Sequence, residues 1–313
     1  MMNFDAKIFV TGHGGMVGKT MLGVLEEEGY ENVVFVSSED LDLRNQIAVF
    51  DFFEREKPEY VFHFAAKVGG IMANINNPAV YLYDNLMISC NVVEAARRFG
   101  VKKLLNLGSS CVYPRGCEQP MKEEYLLDGK PEPTNEGYAL AKIAALKLCE
   151  KYNKQYGTNF ISLMPCNLYG VNEHFDAVNS HVVAALIMKF DEAKRKNLEE
   201  VSLWGTGSVR REFLYVRDLV EICLQAMKKL NGDDFEEGFV NVGSGEDISI
   251  RDLAEMIREV VGFEGKIAWD SSKPDGMPRK LVDVSKMRKH GLESSVGLRE
   301  GIGLTYEYFL KKL

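Results

Sequence analysis

The sequence has few of the residues that mark several functional classes. It holds 5 histidines, scattered, with no His-Glu-x-x-His and no close pair, so the common hydrolytic zinc signatures are excluded. Glu173, His174 and Asp176 are close enough for a small metal site, but a solvated loop is the expectation and no metal is assigned. The 6 cysteines are irregularly spaced and form no Cys-x-x-Cys. In a chain of this length they read as reduced cytoplasmic thiols, not a disulfide framework. Asp5 and Lys7 precede any apolar run, so no signal peptide is read. The longest clean apolar run, 182–188, is far too short to cross a bilayer. Positive charge is in deficit, with 38 Lys and Arg against 46 Asp and Glu and a net charge of -8. That balance argues against nucleic acid or an anionic membrane as the main partner, but not against an anionic small molecule in a locally positive pocket. No internal repeat or low-complexity segment is visible, which excludes solenoids and scaffolds.

What is present is ordinary for a protein with a full core: 46% hydrophobic and 27% charged over 313 residues. At about 150 residues per domain, this predicts two domains or one large α/β domain with an annex. The first half alternates strand-like runs (7–11, 32–37, 60–64, 103–107, 160–164) with helical spacing (18–28, 45–56, 78–98, 133–156). That rhythm implies βαβ units and a parallel sheet covered on both faces. After Gly170 it changes. A polar loop over 171–180 leads to a helix over 180–196, a strand over 201–204, a helix over 219–230, a strand over 238–242 and a helix over 248–261. Ser249 and Asp252 cap the last helix. The fold class expected is a Rossmann-type doubly wound parallel sheet with a smaller C-terminal α/β lobe. Residues 1–170, with a return segment near 208–246, form the dinucleotide domain. Residues 171–207 and 247–313 form the second lobe.

The first strand runs into Thr11-Gly12-His13-Gly14-Gly15-Met16-Val17-Gly18 and then a helix. Gly12 permits a tight turn, Gly15 lets the backbone approach a pyrophosphate, and Gly18 permits close helix–strand contact. The helix N-terminus then offers free N–H groups and a positive dipole end to an anion. The second strand ends in Val36-Ser37-Ser38-Glu39-Asp40, with no base for a 2′-phosphate, although Ser37 and Ser38 can donate to one. Asp42, beside Leu43, is either a contact for the adenine edge or a turn cap.

Tyr138 and Lys142 form Tyr-x-x-x-Lys, one helical turn apart and on one face. Alone, such a pair is an ordinary surface pair. Beside a glycine turn and the serine-rich strand end Gly108-Ser109-Ser110-Cys111, it reads as a catalytic pair. The lysine is expected to lower the phenol's pKa so that Tyr138 exchanges a proton with a carbinol oxygen during hydride transfer. Ser109 hydrogen-bonds the same oxygen.

These features, with Leu107-Gly-Ser-Ser-Cys-Val-Tyr-Pro114, Asn167-Leu-Tyr-Gly170, Asn179-Ser-His181, Trp204-Gly-Thr-Gly207, Arg211-Glu-Phe-Leu214 and Lys273-Pro-Asp-Gly276, resemble the extended short-chain dehydrogenase/reductases. Within them the chain is similar to the GDP-L-fucose synthase family, the GDP-4-keto-6-deoxy-mannose 3,5-epimerase/4-reductases, over nearly its whole length. The resemblance implies NADPH, with NADH as the alternative, a GDP-4-keto-6-deoxy sugar as substrate, and a homodimer built on the helices over 78–98 and 133–156. It implies that Cys111 and His181 are the acid/base pair of epimerisation beside Ser109, Tyr138 and Lys142. The cofactor then lies along Gly12, Gly14, Gly15, Met16, Val17, Gly18, Ser37, Ser38, Asp42 and Leu43. It continues along Ala65, Ala66, Lys67, Pro165, Asn167, Leu168 and His181. The sugar nucleotide meets Val68, Ser110, Cys111, Asn167, Lys189, Trp204, Arg211 and Lys273. Gly14 stands where some members have arginine, Val171 where proline is usual, and Cys166 where threonine is typical. The altered loop over 171–178 suits a heptose as an alternative to the hexose. A non-catalytic NAD(P)-binding regulator is the competing class, and the presence of both Tyr138 and Lys142 speaks against it.

Overall fold

The computed structural model describes residues 2–176, 180–272 and 275–313. The alternating half begins β1 (Ile8–Thr11), α1 (Met16–Glu27), β2 (Val33–Val34), α2 (Gln46–Glu56) and β3 (Tyr60–His63). It continues α3 (Ile71–Asn76), α4 (Pro78–Arg98), β4 (Lys103–Leu107), α5 (Glu136–Tyr156) and β5 (Phe160–Pro165). The rest runs β6 (Asn167–Tyr169), α6 (Val182–Arg195), β7 (Glu200–Trp204), β8 (Arg210–Tyr215), α7 (Val216–Lys229) and β9 (Val240–Val242). It ends with β10 (Asp247–Ser249), α8 (Ile250–Val261), β11 (Lys266–Asp270), β12 (Arg279–Lys280), α9 (Ser285–Lys289) and α10 (Leu298–Leu310).

The main sheet is parallel, in the order β2-β1-β3-β4-β5-β9. Its central strands are buried on both faces, so they read as continuous apolar runs without alternation. One face packs on Met21, Leu25, Leu219 and Cys223 of α1 and α7; the other packs on Phe52, Phe53, Val92 and Val93 of α2 and α4. Each such side chain taken from water stabilises the fold by about 1.5–3 kcal/mol. The later segments form a second cluster around Ile187, Phe190, Leu203, Leu253 and Ile257. There β8 pairs with β10, β12 and β6, and β7 pairs with β11.

Several boundaries depart from expectation. The second strand is only Val33–Val34, because the chain turns at Ser37, whose Oγ accepts the Asp40 N–H. A two-residue edge strand leaves little to pair. The helix expected from 248 starts at Ile250, since Asp247–Ser249 pairs with β8 as a strand. Ser249 still caps the helix by accepting the Asp252 N–H. The helix expected from 219 begins at Val216. Strands β6, β8, β10, β11 and β12 and helices α3, α9 and α10 had no counterpart in the sequence pattern.

Candidate active site

Strand order reverses at β1 and β3, and a crevice at the carboxyl ends of a parallel sheet forms at such a point. Thr11 and His63 end those strands. Thr11 Oγ1 accepts the N–H groups of Phe64 and Ala65, both at 3.1 Å, so its own proton goes to His63 Nδ1 at 2.9 Å. Complete burial, with the charge of Lys142 nearby, pushes His63 down to about 3 and keeps it neutral. Here opens a cavity of 2430 Å³.

At its floor lies the glycine turn. Gly12 has φ +70, and a Cβ there would stand 2.7 Å from the Ala65 nitrogen; one on Gly18 would stand 2.2 Å from the Gly12 oxygen. Neither position tolerates a side chain. Gly14 has nothing within 4 Å of its Cβ position, so it leaves open space. Gly15 is the N-cap of α1 and supplies no side-chain cap, and the first turn holds no acid. The donors of that turn face the cavity, which fits a dinucleotide's pyrophosphate.

Ser109 caps a short turn over Ser110–Val112 by accepting the Cys111 N–H at 3.3 Å, which sets Cys111 beside it. Tyr138 and Lys142 project from α5 toward the same place. Lys142 donates to the Leu107 carbonyl at 2.8 Å and lies 6.0 Å from the Tyr138 ring centre. Burial pushes Lys142 down to about 8. Tyr138 departs from expectation. Burial, with the charge of Cys111, pushes its phenol up, and only a hydrogen bond with Ser109 works the other way. Lys142 is too far away, and too engaged with Leu107, to bring it down. A protonated phenol is the form a proton donor needs.

Of the expected residues, the turn from Gly12 to Gly18, Ser37, Ser38, Asp42 and Leu43 line the cavity. So do Ala65, Ala66, Lys67 and Val68, and likewise Ser109, Ser110, Cys111, Tyr138 and Lys142. Pro165, Asn167, Leu168, His181 and Arg211 complete the set. Lys189 and Trp204 are exposed and do not line it. Lys189 lies on α6 between the lining Met188 and Glu192 with its side chain exposed to solvent, and Trp204 ends β7 with 72% of its surface open. Lys273 and Asn179 lie outside the described residues. Among the described residues, no group of three or more His, Cys, Asp or Glu is placed to hold a metal ion.

The cavity also holds residues the sequence reading missed. Arg44 lies just beyond the strand end, which itself carries no base. It grips Asp42 through Nε and Nη2 at 2.9 and 2.8 Å and reaches Asp84 at 3.3 Å. Asp42 is thus an ion-pair partner of Arg44. Lys280 lines the cavity, as does Asp275, which holds the Thr206 backbone N–H and hydroxyl. Only the basic composition of Arg-Lys over 279–280 hinted at Lys280.

A six-stranded parallel nucleotide-binding sheet with a glycine turn at its switch point, and Ser, Tyr and Lys converging above it, defines a dinucleotide-dependent enzyme of the short-chain dehydrogenase/reductase type. Residues 8–243 match the NAD dependent epimerase/dehydratase family, and the chain belongs to it. It is 50% identical over 313 residues to GDP-L-fucose synthase 1 of Arabidopsis thaliana, covering 100% of this chain and 96% of that protein. A solved GDP-D-glycero-L-gluco-heptose synthase from Campylobacter jejuni, in the presence of NADPH, superposes with TM-score 0.95 at 36% identity, over 99% of this chain and 100% of that one. A GDP-L-fucose synthetase from Naegleria fowleri bound to NADP gives 0.91 at 31% identity, over 100% and 95%.

Proposed function

We propose that this protein is an NADPH-dependent GDP-L-fucose synthase, which epimerises GDP-4-keto-6-deoxy-mannose at C3 and C5 and then reduces C4. The reading rests on one observation above all: Cys111 and His181 line the same cavity as Ser109, Tyr138 and Lys142. The C4 ketone acidifies the protons at C3 and C5. A base can therefore remove one while an acid returns one on the opposite face. The bound nicotinamide supplies the hydride for C4. Tyr138 gives its proton to the C4 oxygen, Ser109 holds that oxygen, and Lys142 steadies the tyrosine and the cofactor ribose. A pure C4 reductase needs neither Cys111 nor His181.

The α1 N-terminus and the Gly12–Gly18 turn hold the cofactor's pyrophosphate. Ser37, Ser38, Asp42 and Leu43 border its adenosine, and Ala65, Ala66, Lys67, Pro165, Asn167 and Leu168 its nicotinamide half. Arg211 takes the GDP diphosphate, because a guanidinium fork matches two phosphate oxygens. Ser110 and Val68 border the sugar. Lys189, Trp204 and Lys273 belong to the guanosine end, where Lys189 and Trp204 would have to turn inward. Residues 1–170, with the return segment near 208–246, carry the cofactor; 171–207 and 247–313 carry the sugar nucleotide. The enzyme is a homodimer through α4 and α5, whose Val80, Tyr83 and Leu140 leave apolar surface exposed. It works in the cytoplasm, a reading supported by its six free cysteines, since a reducing compartment keeps thiols unpaired.

The test offers the purified enzyme GDP-4-keto-6-deoxy-mannose and its heptose counterpart, each with NADPH and NADH. Fastest formation of GDP-L-fucose with NADPH supports the reading. Faster turnover of the heptose, favoured by the C. jejuni heptose synthase's close superposition, selects that substrate instead. Failure to reduce either sugar with either cofactor overturns both.

A further inference from the structure

Each member of the Cys111/His181 pair has a charged partner that no role yet assigned accounts for. Lys280 sets its Nζ 3.4 Å from Cys111 Sγ, across 169 residues of sequence. It gets there because β12 pairs in parallel with β8, in register Lys280 to Arg211, and both side chains line the cavity. On the other side, Glu173 Oε2 lies 3.4 Å from His181 Nδ1, an ion-pair contact rather than an aligned hydrogen bond. Glu173 Oε1 accepts the His174 backbone N–H at 2.9 Å, which fixes the carboxylate. Only 7% of the Glu173 side chain is exposed, although His181 opens into the cavity.

The groups facing each side chain all point one way. Burial alone would raise the Cys111 thiol, but Lys280's charge, with hydrogen bonds from Ser109, Lys280 and Asn135, holds it below its usual value. Contact with the Glu173 carboxylate raises His181 against the pull of burial, and the charge of Cys111 adds to the rise. Tyr138 also faces Cys111 but stays neutral, because a nearby thiolate and burial both oppose a phenolate.

We propose that Lys280 and Glu173 are positioning residues that poise the acid/base pair in opposite charge states, Cys111 as thiolate and His181 as imidazolium. This rests on the epimerase reading above. The Cys111 thiolate takes the proton from the carbon next to the C4 ketone. The electrons of that C–H bond move into the ring, and the C4 carbonyl becomes an enolate oxygen held by Ser109 and Tyr138. His181, with Nδ1 turned to Glu173, gives the proton on Nε2 to the opposite face of the same carbon, and the C4 carbonyl re-forms. The site is left with a thiol and a neutral imidazole. The thiol loses one proton to solvent and the imidazole takes one back, so the second epimerisation starts from the same state.

Two titrations of the full chain test the poise without any substrate. The rate of iodoacetamide alkylation of Cys111, followed by peptide mass spectrometry across pH, reports its thiolate. Lys280→Met should move the midpoint up by a unit or more, which is about tenfold slower alkylation at a pH below both midpoints. Lys280→Arg should restore it. The His181 ring signal in an NMR titration, assigned by its loss in His181→Asn, should titrate at lower pH in Glu173→Gln. Unchanged midpoints in folded variants overturn the poising. Deuterium uptake at C3 and C5 of GDP-4-keto-6-deoxy-mannose is then measured in the same variants. Shifted midpoints with unchanged uptake overturn the epimerase reading of the pair, and with it the part given to Lys280 and Glu173.

Discussion

Two pairs of ionisable side chains face one cavity, and their surroundings treat them oppositely. Lys142 is buried and Tyr138 half-buried on the cavity wall, and burial is the largest influence on each. Burial drives both toward their uncharged forms, the phenol up and the ammonium down to about 8. Cys111 and His181 each meet a charged neighbour: Glu173 outweighs burial at His181, and Lys280, with the Ser109 and Asn135 hydrogen bonds, does so at Cys111, so both are driven toward their charged forms. Burial alone shifts an ionisable group toward neutrality, and a close opposite charge reverses the sign. The difference separates two tasks. Reduction needs a tyrosine that still holds its proton when hydride arrives. Proton exchange beside a ketone needs a base already deprotonated and an acid already protonated. One cavity runs both because the two pairs share a substrate but not an electrostatic environment.

The sharpest way to break this comparison is to disable each pair separately. Tyr138→Phe should slow reduction, read as NADPH oxidation, by about 10²–10⁴, the usual range for a positioned proton donor, while deuterium uptake at C3 and C5 continues. Full reduction by that variant would end the proton-donor assignment. Cys111→Ser should do the reverse. Uptake should fall by about 10²–10⁴ with some hydride transfer remaining, and uptake at the native rate would remove Cys111 from the acid/base role.

Glu212 sharpens the comparison on stability. Its carboxyl is buried, accepts the Val282 and Gly245 N–H groups at 2.9 and 2.7 Å, and is pushed up to about 7 by burial. This raised acid binds a proton in the folded state where the unfolded chain does not. Stability from this group is therefore greatest below its unfolded value near 4.5 and is lost as pH rises through 7. The loss amounts to about 3 kcal/mol. Glu212→Gln should flatten that slope in urea unfolding at pH 5 and 7.5; an unaltered slope would mean that the buried carboxyl does not control it.

The smallest effect is a control that touches neither pair. Ser249→Ala removes the cap that accepts the Asp252 N–H at 3.0 Å. It should cost about 1 kcal/mol of stability and leave reduction and deuterium uptake as they were. A change in either rate would show that the second lobe's rigidity, and not only local charge, governs the site.

What was legible in the chain was what depends on near neighbours. The alternating β and α rhythm, the glycine turn and the Tyr138/Lys142 spacing are local patterns, because strand and helix periods and backbone sterics act within a few residues. The short strands of the second lobe were not legible. β10 and β12 are two or three residues long and exist because β8 offers them partners. The direction of the Tyr138 shift was also misread, because burial is set by everything packed around a group and not by the residue one turn away.

By itself, then, the sequence determined a dinucleotide-binding α/β chain carrying Ser109, Tyr138, Lys142, Cys111 and His181. Tertiary structure decided what those groups meet. It put Lys280 against Cys111, Glu173 against His181 and Arg44 against Asp84, and it kept Lys189 and Trp204 off the cavity wall. The reason is physical. A charge acts on its neighbour over a few ångströms, and strand register and loop closure, not distance along the chain, bring a lysine and a cysteine 169 residues apart within that range.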